Sequence, residues 1–223
     1  MSNAPLPGPG VTVVIPCRDE AASLPGVLRA MPPGYQVIVV DNGSRDGTAG
    51  VAAQLGATVA HEPQPGYGAA VHRGIEASRT PYTAVLDGDG SMDPGELPAL
   101  VEAVRCGADL AVGRRRPTSN GAWPWHARAG NVLIAALIRR RLGIDIHDIG
   151  AMRVARTQPL RDLGITDRRF GYPLELLVRA ARAGWDIREL DISYRPRTGG
   201  ESKVSGSVAG TTRAARDFLR ALS

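Results

Sequence analysis

Asp87 and Asp89 stand two residues apart at the end of the apolar run Tyr82–Asp87. In extended chain, residues two apart point to the same side. Carboxylates paired in this way can hold Mg²⁺ or Mn²⁺ through oxygen ligands, leaving positions for phosphate oxygens and water. Asp and Gly are also common turn residues, so an acidic turn would use the same letters. The place at the end of a buried strand, with Ser91, Asp93 and Pro94 following, favours the metal. A second polar cluster, Asp41-Asn42-Gly43-Ser44-Arg45-Asp46-Gly47-Thr48, ends another apolar run. Ser44 there suits a helix cap and Asp46 a first helical turn. Asp41 would face the crevice, where a carboxylate accepts hydrogen bonds from a nucleobase or ribose. Gly66-Tyr67-Gly68 leads into a small-residue helix and would let backbone approach a ligand.

These residues need a frame. Val11–Pro16, Gln36–Asp41, Ala57–His61, Tyr82–Asp87 and Asp109–Gly113 read as strands. Glu20–Ala30, Arg45–Leu55, Tyr67–Ser78 and Gly95–Arg105 read as the helices between them. That alternation predicts an α/β fold, a mostly parallel sheet covered by helices on both faces. Ligands of such sheets sit at the carboxyl ends of the strands, where the polar clusters fall. The second half is less regular. A basic loop is expected over Arg114–Trp125, an amphipathic helix over Ala127–Leu142 and a strand over Ile149–Val154. A helix over Pro173–Ala183, a strand over Trp185–Tyr194, a polar loop over Arg195–Ser205 and a last helix over Ser207–Leu222 follow. Residues 1–10 read as a flexible Pro/Gly leader, without the order of a signal peptide. Residues 11–223 read as one domain, with 11–113 the nucleotide and metal half and 114–223 the acceptor half.

The charge is unevenly spread along the 223 residues. Residues 1–112 carry 6 basic and 12 acidic side chains, whereas 113–223 carry 21 and 10. Lys203 is the only lysine. An acidic half suits a metal, and an arginine-rich half suits an anionic partner. No run approaches the ~20 apolar residues that span a bilayer. The cationic half and the amphipathic stretch Ile134–Arg141 lead to the expectation of a cytoplasmic protein that visits the inner face of the cytoplasmic membrane. Cys17 and Cys106 fit no metal spacing and read as reduced thiols. The first strand lacks the dinucleotide glycines, and Lys203 is not in a Walker loop, which argues against a nicotinamide enzyme and a P-loop phosphotransferase. Aromatic content of 4% and the lack of a reader motif argue against a nucleic-acid partner. A homo-oligomer is left open.

Eight segments occur in an order that resembles the family 2 glycosyltransferases of the GT-A fold, in the dolichyl-phosphate mannose synthase and polyprenyl-phosphate glycosyltransferase branch. They are VVIPCRDE (13–20), VVDNGSRDGT (39–48), GYGAAVHRGIEAS (66–78), VLDGDGSMDP (85–94), VGRR (112–115), HARAGN (126–131), HDIGAMRV (147–154) and RTGGESKV (197–204). The resemblance implies an inverting, metal-dependent hexosyltransferase. Its donor would be a nucleotide diphosphate-sugar of the UDP-glucose or GDP-mannose type, and its acceptor a polyprenyl or dolichyl phosphate. A hydroxyl of a soluble or cell-envelope acceptor is the alternative; a sugar-nucleotide nucleotidyltransferase is a rival of another class.

Position by position, the resemblance puts Pro16, Arg18 and Glu20 in the first nucleotide loop, Asp41 at the base, and Gly68 in the donor loop. It makes Asp87, Asp89 and Ser91 the ligands of Mg²⁺ or Mn²⁺. Arg115, Arg128, Arg197 and Lys203 match basic positions that grip the donor diphosphate or the acceptor phosphate. Asp148 matches an acidic residue of the acceptor loop, a candidate base for a hydroxyl acceptor or else a loop-tethering aspartate. The chain departs from the family at Arg18, where Asn is common, at Met92, where His is usual, and in VGRR for VGSR.

Overall fold

The computed structural model describes residues 10–198 apart from 120, 121 and 124, without the side chains of residues 125 and 126. Lys203 and the helix expected over Ser207–Leu222 lie outside the described residues. The strands are β1 (Val11–Cys17), β2 (Gln36–Asp41), β3 (Thr58–His61), β4 (Tyr82–Val85), β5 (Leu110–Pro117), β6 (Arg153–Arg156) and β7 (Ile187–Tyr194). The helices are α1 (Leu24–Arg29), α2 (Thr48–Gln54), α3 (Tyr67–Ala77), α4 (Leu97–Arg105), α5 (Trp125–Leu142), α6 (Thr157–Asp162) and α7 (Tyr172–Arg182). The strands form one seven-stranded sheet, ordered β3-β2-β1-β4-β6-β5-β7.

The expected mostly parallel sheet is present, with one reversal. β6 runs antiparallel to both β4 and β5. Its direction follows from the path of the chain. The segment 147–151 crosses the carboxyl end of β5, where Asp148 meets Arg115, so β6 enters the sheet from that end.

Side-chain alternation along β1 divides the core. Val11, Val13, Ile15 and Cys17 face one layer, with Leu24 and Val27 of α1 and Leu97, Leu100, Val101 and Val104 of α4. Those four α4 residues recur at helical spacing and form its buried stripe. Val14 faces the opposite side, with Ile38, Val40 and Ala70. On that side, α3, α5 and α7 pack Val71, Ile75, Ile138 and Leu177 over Val85, Leu110 and Val112.

Several boundaries differ from expectation: the helix expected over Glu20–Ala30 spans Leu24–Arg29, the strand expected over Tyr82–Asp87 ends at Val85, the strand expected over Ile149–Val154 is β6, and α6 has no expected counterpart. Arg114–Pro117, expected to open a loop, instead continue β5 and pair in parallel with Asp191–Tyr194 of β7. Arg116 meets Asp191 at 2.9 Å, so a strand distant in sequence neutralises this charged edge. α2 begins at Thr48 and not at Arg45. Ser44 is not its cap, because Ser44 Oγ accepts from the Asp19 amide at 3.0 Å. Gly47, at φ 86°, precedes the helix, and Asp46 Oδ1 accepts the Thr48 amide at 3.0 Å.

Candidate active site

The loops after β1 and β2 are stitched together, which fixes one wall of a cleft at the carboxyl edge of the sheet. Asp19 adopts a left-handed backbone, φ 54°, which Asp tolerates better than most residues. From there its Oδ1 accepts the Arg45 amide at 2.8 Å. The Glu20 amide donates to Thr48 Oγ1 at 2.9 Å and the Ala21 amide to Asp46 Oδ2 at 2.9 Å. Asn42 ties in a third loop. Its Nδ2 donates to the carbonyls of Glu62 and Gln64, and its Oδ1 accepts the Gly66 amide at 2.8 Å. Sequence reading took Asn42 only as part of a turn. Its three long-range bonds depend on where residues 62–66 come to lie, which no local pattern reveals.

The cleft encloses about 450 Å³. Of the expected site residues, Pro16, Arg18, Glu20, Asp87, Asp89 and Arg197 line it, together with Asp19, Asn42, Tyr67 and Phe170. Asp41 is buried beside it, with Oδ1 accepting the Ser44 amide and His61 Nδ1 3.4 Å from Oδ2. Gly68, expected in the donor loop, packs against the 167–169 loop. Its amide donates to the Arg169 carbonyl at 3.0 Å, and an added Cβ would lie 2.7 Å from the Asp167 carbonyl oxygen. Its smallness lets the 167–169 loop close onto α3.

Asp87 and Asp89 follow β4 on a tight turn. Gly88 permits it, since a Cβ there would sit 2.7 Å from Cys17 Sγ. Asp89 is buried, and its Oδ1 accepts the Ser91 amide at 2.9 Å. Arg197 Nε lies 3.1 Å from its other oxygen. Burial and the neighbouring Asp89 charge push the Asp87 carboxyl up to about 6, with Arg153, Arg197 and Arg115 acting the other way. Arg153 is buried beside Tyr67, and among the described residues neither its guanidinium nitrogens nor the Tyr67 hydroxyl have a partner of good hydrogen-bond geometry. Such a cation is costly to bury without an opposite charge; Asp87 supplies one. Burial and the surrounding carboxylates push the Cys17 thiol up, so it stays protonated.

The residues present fit a divalent cation. Ser91, whose amide meets Asp89, has a buried Oγ that finds no partner among the described residues. The lining carries four carboxylates (Asp19, Glu20, Asp87, Asp89) against two guanidinium groups (Arg18, Arg197). An acidic wall of this kind repels a diphosphate until a cation offsets it. Among the described residues no third His, Cys, Asp or Glu completes the ligand set, so phosphate oxygens and water would fill it.

A second constellation lies at the carboxyl end of β5. Asp148 Oδ2 accepts the Arg115 backbone amide at 2.8 Å and Arg115 Nε at 2.9 Å, and Oδ1 accepts Nη2 at 2.6 Å. The Arg115 guanidinium carbon lies 3.9 Å from the centroid of the Trp123 ring and 5.4 Å from that of Tyr194. Asn131 of α5 accepts from Arg115 Nη2 at 3.4 Å. Behind Asp148 stands Glu189 of β7, its side chain 8% exposed and unmarked by any sequence pattern. Its Oε1 accepts the amides of His147 and Asp148, both at 2.8 Å, and its Oε2 lies 3.0 Å from His147 Nδ1. Arg128 is exposed on α5. β7 also joins the two constellations. Past its end, the Arg195 amide donates to the Ser91 carbonyl and the Thr198 amide to the Asp89 carbonyl.

Comparison with known proteins agrees with this architecture. The model of the family described as glycosyl transferase family 2 matches residues 12–164. A glycosyltransferase of Mycobacterium tuberculosis is 57% identical over 98% of this chain and 100% of its own. The polyprenol monophosphomannose synthase of Mycolicibacterium smegmatis is 35% identical, covering 87% of this chain and 81% of its own. Among solved structures, glucosyl-3-phosphoglycerate synthase from M. tuberculosis, in complex with Mn²⁺, UDP and glucosyl-3-phosphoglycerate, superimposes with a TM-score of 0.77 at 21% identity. That match covers 95% of this chain and 79% of the other. A seven-stranded sheet with a paired-aspartate turn at its carboxyl edge, and relatives of this extent, make the chain a glycosyltransferase of the GT-A fold, belonging to glycosyl transferase family 2.

Proposed function

We propose that the protein transfers a hexose from a nucleotide diphosphate-sugar to a polyprenyl phosphate. The observation that carries this reading is the Arg115–Asp148 pair. In it, Arg115 donates three hydrogen bonds to the Asp148 carboxylate. Asp148 therefore orients a cation and is poorly placed to remove a proton. A hydroxyl acceptor needs a base within hydrogen-bond reach. A phosphate monoester does not, since its second pKa near ~6 leaves it anionic at neutral pH. What it needs is an oriented cation, and Arg115 lies over the Trp123 ring with Tyr194 beside it. The polyprenol-phosphate relative supports the same acceptor class.

In this reading the donor's nucleoside lies against the Pro16–Glu20 loop, with Asp41 at the base. Asp87, Asp89 and Ser91 would hold Mg²⁺ or Mn²⁺ against the diphosphate, where the ion supplies Lewis-acid neutralisation of the leaving group. Arg197 adds a second positive charge beside Asp89, placed to follow the charge that develops on the diphosphate. Arg115 directs the acceptor phosphate, and Arg128 and Lys203 are further candidates for that grip. A phosphate oxygen attacks the anomeric carbon opposite the departing diphosphate, which inverts the configuration.

The test is transfer of radiolabelled sugar from UDP-glucose and GDP-mannose, with Mn²⁺, to undecaprenyl phosphate in detergent. Label should enter the organic phase with one donor, and Asp89→Ala should abolish it. Label that appears only in a water-soluble product, formed on a sugar or small-molecule hydroxyl, would overturn the acceptor.

A further inference from the structure

α5 is apolar on two faces. Its inner face buries Ala135 and Ile138, with Ile134 packed against the same core. Its outer face presents Val132 at 54%, Leu133 at 62% and Leu137 at 36% exposure, with exposed Ala129 alongside. Residues 129, 133 and 137 form one i, i+4 row, with 132 beside it. The amphipathic stretch expected over Ile134–Arg141 thus turns its isoleucines inward, and the exposed apolar row lies around the helix from them. A helix that is apolar on opposite sides calls for cover on both.

Charge decides what provides it. The 18-residue helix contains four arginines and no acidic residue. Arg128, Arg140 and Arg141 are exposed at the two ends of the apolar row. A second copy packed symmetrically on this row would bring its own arginines toward these. An anionic lipid surface meets the same arginines with opposite charge and accepts the leucines below the headgroups.

We propose that the outer face of α5, centred on Leu133, docks on the anionic surface of a lipid bilayer. The helix lies in the interface plane with Val132, Leu133 and Leu137 inserted. Asn131, the neighbour of Val132, touches Arg115. Docking therefore sets the stacked arginine near the headgroup layer, where the phosphate of a lipid-linked acceptor resides. The inference deepens the lipid-acceptor reading and rests on it for this purpose, but the surface is tested without either substrate.

The experiment is sedimentation of the full chain with vesicles of phosphatidylcholine and phosphatidylglycerol at about 2:1, free of polyprenyl phosphate. The protein should pellet with these and not with pure phosphatidylcholine, and binding should weaken as salt rises. Leu133→Glu should reduce the partition at least about tenfold, because an inserted leucine becomes a charge. Arg140→Gln and Arg141→Gln should each reduce it about fivefold. All three side chains are exposed or rim the helix, and an unchanged melting temperature would show that the fold survives. Vesicle binding that ignores Leu133→Glu would overturn the proposal. So would a wild-type dimer in sedimentation velocity that Leu133→Glu splits while vesicle binding persists, since a second copy would then cover the face. Failure of vesicle binding alongside transfer to undecaprenyl phosphate in detergent would sink the docking surface and leave the acceptor standing.

Discussion

Asp148→Asn separates an aspartate that orients a cation from one that removes a proton. The wild-type side chains of Arg115 and Asp148 are 17% and 3% exposed. Removing one partner of a buried pair costs about 3–5 kcal/mol, because the other charge stays behind. Asparagine with its oxygen at the Oδ2 position keeps two of the three bonds, and the guanidinium remains over Trp123, so the lower end, about 3 kcal/mol, applies. For a chain of this size, each kcal/mol lowers the melting temperature by about 2–4 °C, giving about 6–12 °C in all. Scanning fluorimetry measures this directly. Turnover should fall because Arg115 loses its orientation, and the shape of the kcat–pH profile should stay the same. A general base would behave the opposite way. Its removal would cost on the order of 10²–10⁴ in kcat and erase the acid limb of the profile, with little change in melting temperature. That pattern would refute the orienting role and, with it, the case for a phosphate acceptor.

Two other outcomes follow from the paired-aspartate turn. Asp87 titrates near 6 in the folded chain and at about 3.9 unfolded, so the folded state binds the proton more tightly. Its contribution is therefore favourable below about pH 4 and is lost as pH rises through 6. Because burial and Asp89 outweigh the attraction of Arg153 for this carboxylate, Asp87→Asn in metal-free protein should raise the melting temperature at pH 7.5 and leave it nearly unchanged at pH 4.5; a drop at pH 7.5 would show that the Arg153 attraction dominates. Gly88→Ala should cost about 1–3 kcal/mol through the clash with Cys17 Sγ, and adding Cys17→Ala should recover part of it. Purely additive losses in thermal denaturation would mean that the two residues are not in contact.

The strands of the first half were legible because β-branched runs such as VTVVIP and QVIVVD are bounded by Gly, Pro and Asp. The direction of β6 was not legible. Arg153–Arg156 is four residues long, and side-chain alternation is the same for either direction. Arg114–Pro117 looked like a loop because three arginines and a proline suggest solvent, whereas the carboxylate that neutralises Arg116 belongs to β7. The same division runs through the site. Asp87 and Asp89 declare themselves as two carboxylates two residues apart after an apolar run, although they sit on the turn beyond β4 and not in extended strand. Asn42, Arg153 and Glu189 act through partners brought by other elements, and no local pattern marks them. Asp148 was legible as a chemical residue, but its role depends on Arg115, 33 positions away.

β7 touches both constellations, and this has a thermodynamic corollary. Near its start, Glu189 holds the amides of His147 and Asp148; beyond its end, Arg195 and Thr198 hydrogen-bond the backbone of Ser91 and Asp89. Any shift of the strand that accompanies filling of the aspartate turn is transmitted to the loop that carries Asp148. Linkage makes the traffic two-way: if nucleotide tightens the acceptor by some factor, the acceptor must tighten nucleotide by the same factor. A coupling of only ~1.4 kcal/mol would make that factor about tenfold, enough for each substrate to hold its partner in place until the sugar has moved.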